Sequence, residues 1–310
     1  MTATTSRGKI LVIRGGAIGD FILTLPVFAA LRQQFPEAHV EVLGYPHIAQ
    51  LALAGGLVDR VQPIEARALA GFFARNGELS EELRDYFSDF DSVVSYLSDP
   101  DEIFRTNISR CVHGQFLVGP HRPDETQRIH ATEVFLKPLE RLAIFAADPV
   151  PRLGLHASRS PHQVLALHPG SGSEAKNWPE ANWRELIRAL VNTTAHNFLL
   201  IGGEAEGTRL ESLVQLVPTE RCAVAKNLPL GELAERLQSC AAFVGHDSGI
   251  THLAAAVGLP VLALWPHTLA EIWRPQGELV ILLQETGGIR SLTVQRVREQ
   301  LNPLLRPSAP

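Results

Sequence analysis

Three long glycine-containing segments and one shorter turn each follow a short apolar run and carry polar side chains that could do chemistry. The first, VIRGGAIGD (12–20), ends in Asp20. It does not meet the dinucleotide-binding pattern G-x-G-x-x-G, because Ala17 stands where the middle glycine would be if Gly15 came first. Asp20 suits the first turn of a following helix, either as a cap or as a carboxylate that accepts a proton and repels a pyrophosphate. We interpret the segment as an acceptor site with a base rather than a phosphate cradle.

The second segment, HPGSGSEAKNWPEANW (168–183), places small hydroxyls, glycines and a lysine before a predicted helix. Open backbone amides and a cation near a helix N-terminus suit a diphosphate. The candidate phosphate-binding residues are Ser171, Gly172, Ser173 and Lys176. The alternative interpretation is a solvated loop whose lysine points to water.

A shorter turn, IGGEAEG (201–207), carries Glu204 and Glu206. Either carboxylate could accept hydrogen bonds from the diol of a ribose. Acidic residues are also common in the first turn of a helix, where they interact favourably with its dipole. The turn by itself therefore leaves both interpretations open.

The third segment, VGHDSGITHLAAAVGLP (244–260), contains the most specific pattern of the chain. Asp247 and Ser248 stand where a helix would be capped, Gly249 allows a ligand to approach the backbone, and His252 lies about one turn in on the same face. The amides of the first turn could hold phosphate oxygens while Asp247 positions sugar hydroxyls. A well-capped buried helix without a ligand is the alternative.

Apolar runs alternate with helical periodicity along the whole chain, which predicts two doubly wound parallel α/β domains in series. The ligands of such sheets bind beyond the carboxyl ends of the strands, where all of these segments fall. The stretch 146–163 is rich in proline, serine and charge and predicts a linker. The predicted strands are 9–14, 39–44, 60–64, 92–97, 115–119, 163–168, 197–202, 222–225, 242–246, 261–265 and 279–283. The predicted helices include one after the first strand and others at 131–145, 179–193, 205–216, 230–239, 250–257 and 293–304.

Composition narrows the class of protein. The 310 residues are 45% hydrophobic and 20% charged, with a net charge of -5 that argues against a nucleic-acid partner. Cys111, Cys222 and Cys240 show no C-x-x-C spacing and predict reduced thiols in a cytoplasmic protein. The N-terminus lacks the apolar core of a secretory signal, and the uncharged stretch 248–270 is broken by Gly-Leu-Pro, which favours a buried helix and strand over a membrane span.

The sequence offers little for a metal. No H-E-x-x-H pattern or comparable pair occurs among the histidines. Two D-x-D motifs, at 89–91 and 99–101, resemble metal-binding carboxylate pairs, but this spacing arises often by chance in acidic loops. We therefore expect no metal and no bound cofactor.

Three long stretches together resemble glycosyltransferase family 9, the heptosyltransferase family of lipopolysaccharide assembly. They are ILVIRGGAIGDFILTLPVFAALRQQFPEAHVEVL, LALHPGSGSEAKNWPEANWRELI and FVGHDSGITHLAAAVGLPVLALW. The resemblance covers nearly the whole chain and implies the GT-B architecture, two Rossmann-like domains facing a central cleft. It implies an acceptor domain at 1–150, a sugar-nucleotide domain at 160–290, and a last helix within 291–310 that packs back toward the first domain.

The resemblance also implies a reaction, the metal-independent, inverting transfer of a heptose from an ADP-activated donor. Asp20 matches the family's proposed general base and Lys176 its phosphate-binding lysine. Glu204 or Glu206 corresponds to the acid that contacts the ribose. The D-[TS]-G-x-x-H donor loop is matched by Asp247, Ser248, Gly249 and His252. The run Ser171-Gly172-Ser173 departs from the adjacent hydroxyl residues common in the lipopolysaccharide enzymes, which leaves the phosphate contacts open.

The implied partners are a sugar nucleotide and a glycan or glycolipid acceptor, met in the cytoplasm or at the inner membrane face. Arg105, Arg110, Arg122 and Arg128 could meet an anionic acceptor or could be solvated surface. A UDP- or GDP-sugar donor stays open within the same fold. A nicotinamide-dependent oxidoreductase, which the failed fingerprint opposes, and a sugar-nucleotide sensor without activity are alternatives from other classes.

Overall fold

The computed structural model describes residues 7–155, 163–203 and 207–305 of the chain. The chain divides into two compact units, residues 1–149 and 150–310. The division falls inside the stretch that the sequence predicts as a linker. Over the described ranges, no helix combines the length and the apolar character that a membrane span requires.

The described part of the first unit is built on five parallel strands in the order β3-β2-β1-β4-β5. Apolar residues run almost without interruption through the central strand because helices cover both faces of the sheet. The predicted strands are confirmed, with the fourth two residues shorter at its carboxyl end. The bounds are β1 (Lys9–Arg14), β2 (His39–Gly44), β3 (Arg60–Pro63), β4 (Ser92–Ser95) and β5 (Gln115–Val118).

Two helical predictions in this unit differ from the structure, the first in expecting one helix where two are present and the second in where the helix ends. The helix expected after β1 is interrupted before Leu25, because Pro26 in the next first turn has no N–H to continue the ladder. The helix expected at 131–145 ends at Leu136 and continues as a 3-10 turn that contains Pro138. The helices are α1 (Ile18–Ile22), α2 (Leu25–Gln34), α3 (Pro46–Ala54), α4 (Glu81–Ser88), α5 (Ile103–Ile108) and α6 (Ala131–Leu136).

The second unit repeats the design, with six parallel strands among its described residues in the order β11-β10-β9-β6-β7-β8. Two doubly wound α/β domains, as predicted, are therefore confirmed. Each strand lies within two residues of its predicted bounds. The strands are β6 (Val164–His168), β7 (Asn197–Gly202), β8 (Cys222–Lys226), β9 (Ala242–His246), β10 (Val261–Leu264) and β11 (Val280–Leu283).

In the second unit, the uncharged stretch 248–270 forms a buried helix followed by a buried strand, as predicted. The last helix packs against α7 and buries Val294, Val297 and Leu301 in the core of this unit. The three cysteines are free thiols. The helices are α7 (Glu180–Thr193), α8 (Gly207–Val214), α9 (Leu230–Gln238), α10 (Gly249–Ala256), α11 (Ala270–Trp273) and α12 (Val294–Leu301).

Candidate active site

The order of the strands locates a ligand crevice in each unit. In the second sheet the chain runs from β6 outward through β7 and β8, and then crosses to β9 on the other side of β6. In the first sheet the same reversal separates β1 from β4. Loops that leave the two strands of such a switch point diverge to opposite faces, so a crevice opens at their carboxyl ends. The predicted site residues described here follow β1, β6 and β9.

The second unit brings Lys176 and Asp247 together, although 71 positions separate them. Lys176 Nζ lies 2.6 Å from Asp247 Oδ2, and the carboxylate side chain is 9% exposed while the lysine side chain is 37% exposed. The hydroxyl of Thr268, in the loop after β10, donates to the same carboxylate oxygen at 2.8 Å. Asp247 therefore holds a partly exposed ammonium group at the carboxyl end of β9. Thr268 was missed by sequence reasoning, since nothing in its neighbourhood marks it.

The N-terminus of α10 lies beside this ion pair. Ser248 caps the helix, its Oγ accepting the N–H of Thr251 at 3.4 Å, and Gly249 is the first helical residue. The amides of a first helical turn have no partner within the helix and attract anions. His252 is 6% exposed in the same helix. The predicted donor loop therefore has both a helix N-terminus and a lysine.

His168, the last residue of β6, contacts the residue that caps α10. Its Nδ1 lies 3.3 Å from the Oγ of Ser248. Burial lowers the pKa of His168 to about 4, so the ring is neutral at pH 7 and can act as a hydrogen-bond partner without adding charge. The sequence showed this histidine at the end of a strand, but the contact with Ser248 depends on the pairing of β6 with β9.

The loop that carries Lys176 is held by its own polar groups. Ser171 Oγ lies 2.8 Å from Asn177 Oδ1, and it accepts the N–H of Ser173 at 3.3 Å. The Ser171 side chain is therefore engaged inside the loop. At Gly172 an added Cβ would meet no atom within 4 Å, so this position borders open space. Glu204 and Glu206 lie outside the described residues.

In the first unit, Asp20 sits on the first turn of α1. Its Oδ2 accepts the N–H of Ala17 at 3.2 Å, and its side chain is 34% exposed. Gly16 has a φ of +103°, and a Cβ there would lie 3.3 Å from Asp20 Oδ2. A glycine is needed at this turn both for its backbone and for the space that the carboxylate occupies. The carboxylate thus caps the turn and still reaches solvent.

A buried arginine that sequence reasoning missed lies under this turn. Arg14 is 2% exposed, and it donates to the backbone oxygens of Asp20 at 3.2 Å and His121 at 2.9 Å. Its Nη2 lies 4.0 Å from Asp20 Oδ1, and its guanidinium carbon lies 4.5 Å from the ring centre of Phe135. Burial lowers the pKa of Arg14, while the charge of Asp20 opposes that shift. The only sequence signal for a role of Arg14 was the position of a charged residue at the end of an apolar strand.

A cavity of about 290 Å³ lies at the carboxyl ends of β4 and β5 in the same unit. Its lining is largely apolar and also includes Ser95, Asp99, Arg105 and His121, so side chains of both charges border it. Arg105 is paired with Glu102 at 2.7 Å. The residues that line this cavity could contact a polar substrate close to the Arg14 and Asp20 turn.

Both D-x-D motifs have structural partners. The Asp99 carboxylate accepts the N–H groups of Phe104 and Arg105 at 3.1 and 2.8 Å, and so caps the start of α5. Asp91 accepts the N–H of Lys9 at 2.8 Å, and Asp89 pairs with the ammonium group of Lys9. Within the described ranges, no group of three or more His, Cys, Asp or Glu side chains is arranged to hold a metal ion.

Comparison with known proteins extends over both units. Residues 142–296 match the family described as Glycosyltransferase family 9 (heptosyltransferase). Lipopolysaccharide heptosyltransferase 1 of Pseudomonas aeruginosa is 26% identical over 287 residues, which cover 84% of this chain and 79% of that protein. Lipooligosaccharide heptosyltransferase 2 of Haemophilus influenzae is 24% identical, over 96% of this chain and 99% of that protein. The solved structure of E. coli heptosyltransferase WaaC with ADP has a TM-score of 0.77 and 18% identity, over 96% of this chain and 99% of that chain, which confirms the predicted GT-B fold.

Proposed function

This chain belongs to glycosyltransferase family 9, the heptosyltransferase family, and from that membership we propose its donor, its acceptor and its chemistry. The donor is an ADP-activated heptose, and the acceptor is a lipopolysaccharide-type glycan. Transfer proceeds in one in-line displacement with inversion and without a metal. Its relatives support this choice of substrates, since they include lipopolysaccharide heptosyltransferases and a heptosyltransferase solved with ADP.

The observation that carries the donor assignment is the position of the Lys176 ammonium group at the start of α10. The diphosphate of the donor would accept hydrogen bonds from the amides of Ser248 and Gly249 and from Lys176 Nζ. An ammonium group has three N–H donors, so Lys176 can keep Asp247 as a partner while it binds a phosphate oxygen. As the bond from the anomeric carbon to the phosphate oxygen breaks, negative charge grows on ADP, and Lys176 stabilises that charge.

Asp20 is the proposed general base. A hydroxyl of the acceptor attacks the anomeric carbon, its proton passes to the Asp20 carboxylate, and ADP leaves with the electron pair of the broken bond. The exposed part of the Asp20 side chain allows an acceptor to reach it. Such an acceptor is a glycolipid, so under this proposal the enzyme meets it at the cytoplasmic face of the inner membrane.

Nucleotide binding tests the donor assignment. Melting temperatures should be measured in EDTA with ADP, UDP, GDP and reduced nicotinamide cofactors. A ligand at 100 times its Kd stabilises the folded state by about 2.7 kcal/mol, and we expect that effect with ADP. Stabilisation by UDP or GDP alone would change the nucleotide of the proposal. Stabilisation by nicotinamide cofactors alone, or binding only when divalent metal is restored, would contradict it.

Lys176→Ala tests the role of the ammonium group. Loss of a hydrogen bond to a charged partner costs about 1.5–3 kcal/mol, so the Kd for ADP should rise about 10- to 150-fold. Turnover should fall as well, because the lysine meets charge that develops as ADP departs. Lys9→Ala is the matched control, because the Lys9 side chain is 38% exposed, close to the value for Lys176, and lies at the amino end of β1 rather than at a carboxyl end, where ligands bind. Equal ADP affinity and turnover in both variants would leave Lys176 with only its ion pair to Asp247.

A further inference from the structure

His246 ends β9, directly before Asp247, and is fully buried. Its Nε2 lies 3.0 Å from the backbone nitrogen of Trp178 and 3.3 Å from the indole nitrogen of Trp183. Both of those groups are N–H donors, so Nε2 must be the acceptor and carries no proton. Its Nδ1 lies 3.3 Å from the backbone oxygen of Gly170, which can only accept. The neutral ring protonated on Nδ1 satisfies all three contacts.

Two of these contacts lie at the two ends of one loop. Gly170 and Trp178 bracket the residues proposed to meet the diphosphate, Lys176 among them. A single imidazole ring therefore binds the start and the finish of this loop. Trp178 is fixed on its other side as well, because its indole N–H donates to the backbone oxygen of Leu292 at 2.9 Å.

We propose that His246 is a positioning residue for donor binding, which fixes both ends of the 170–178 loop to the end of β9, directly before Asp247, and so holds Lys176 at the diphosphate site. This inference rests on the proposed function. Because His246 and Asp247 are consecutive, any shift of the loop relative to the ring is also a shift of Lys176 relative to its carboxylate partner. The ring contributes geometry and has no proposed contact with the substrate.

The surroundings of the ring favour its neutral form. Burial lowers the pKa of His246 to about 3, the hydrogen bond with Gly170 opposes the shift, and the nearby His168 and Arg209 add to it. A proton on Nε2 would turn two hydrogen bonds into contacts between donors. The His246 ring is therefore neutral at pH 7.

Two substitutions release the two ends of the loop separately. His246→Asn retains a donor near the Nδ1 position but leaves the N–H of Trp178 without its acceptor. His246→Gln carries an oxygen toward the Nε2 position but loses the contact with Gly170. We expect the Kd for ADP and the donor KM to rise about tenfold in the Asn variant and about threefold in the Gln variant, with the acceptor KM unchanged.

Two controls separate positioning from stability. Trp183→Phe removes one donor to the ring but leaves both ends of the loop bound, and Leu190→Ala truncates a buried side chain of α7 in the same core. Both should lower the melting temperature and leave the Kd for ADP unchanged. ADP affinity is measured by calorimetry, well below the melting temperature of each variant, and donor and acceptor KM by transfer assays.

The outcomes are distinguishable. If the parent protein binds no ADP, the proposed function fails and the role of His246 falls with it. If the parent binds ADP and the variants at 246 lose only as much affinity as Leu190→Ala, the positioning role is overturned. If the Asn variant does not fold, the ADP affinity of the Gln variant is compared with that of Leu190→Ala in the same way, and an equal loss overturns the positioning role.

Discussion

Asp20→Asn is expected to stop most of the transfer while the first unit stays folded. The amide oxygen of asparagine can still accept the N–H of Ala17, which now lies 3.2 Å from Asp20 Oδ2, so the first turn of α1 keeps its cap. The substitution removes the negative charge and the capacity to accept a proton. A positioned base contributes about 10²- to 10⁴-fold to a rate, and we expect turnover to fall by that factor with ADP affinity unchanged.

The structure sets the accompanying change in stability. Arg14 Nη2 lies 4.0 Å from Asp20 Oδ1, a distance at which two unit charges interact by about 4 kcal/mol at the effective dielectric constant typical near a protein surface. The Asp20 side chain is 34% exposed, so screening reduces the net loss to about 1 kcal/mol or less. Asp20→Ala also removes the bond to Ala17, which costs a further 0.5–2 kcal/mol, roughly. The alanine variant should therefore unfold more easily than the asparagine variant.

The assay compares turnover at saturating ADP-heptose with unfolding in urea for the parent and both variants. Asp89→Asn is the matched control, because its carboxylate is 60% exposed and pairs with Lys9 at the amino end of β1. The control should transfer at the parental rate. An asparagine variant at position 20 that turns over like the parent refutes the general-base role and leaves Asp20 as a cap of α1.

Most of the fold could be predicted because the strands of a parallel sheet are buried on both faces. Such strands appear as continuous apolar runs, and their bounds were predicted to within two residues. Local chemistry explains the two wrong helices. Pro26 lies in the first turn of α2, where it interrupts the single helix expected after β1. Pro138 lies in the 3-10 turn that follows α6, although apolar periodicity continues past both residues. Periodicity indicates burial, whereas proline decides where the ladder of hydrogen bonds stops.

The sequence predicted which loops form the site, but it did not predict which side chains contact each other there. Spacing located Lys176 and Asp247 after apolar strands, but their ion pair depends on β6 lying beside β9, which no local pattern specifies. The same holds for Arg14, Thr268 and His246, whose partners come from distant parts of the chain. Such residues support a ligand site without matching a binding motif. A polar residue at the carboxyl end of a buried strand was the one signal available for Arg14 and His246.

Two further perturbations test these supporting contacts. Thr268→Val removes a hydrogen bond to the Asp247 carboxylate, so the free energy of unfolding in urea should fall by about 1.5–3 kcal/mol, and an unchanged value would show that this bond contributes nothing. The buried histidines predict acid sensitivity. Burial lowers the pKa values of His168 to about 4 and of His246 to about 3, whereas both titrate near 6.5 in the unfolded chain. Above pH 6.5 both histidines are neutral in the folded and the unfolded protein, so they do not reduce the free energy of unfolding. Below pH 6.5 the unfolded chain binds protons that the folded protein excludes, so each histidine lowers the free energy of unfolding by up to about 1.4 kcal/mol per pH unit. Urea unfolding should therefore give a much lower free energy of unfolding at pH 5 than at pH 7 in the parent protein. In His246→Gln this decrease should be smaller by the contribution of one histidine. An equal decrease in the two proteins would mean that the His246 ring is protonated as readily in the folded state as in the unfolded chain.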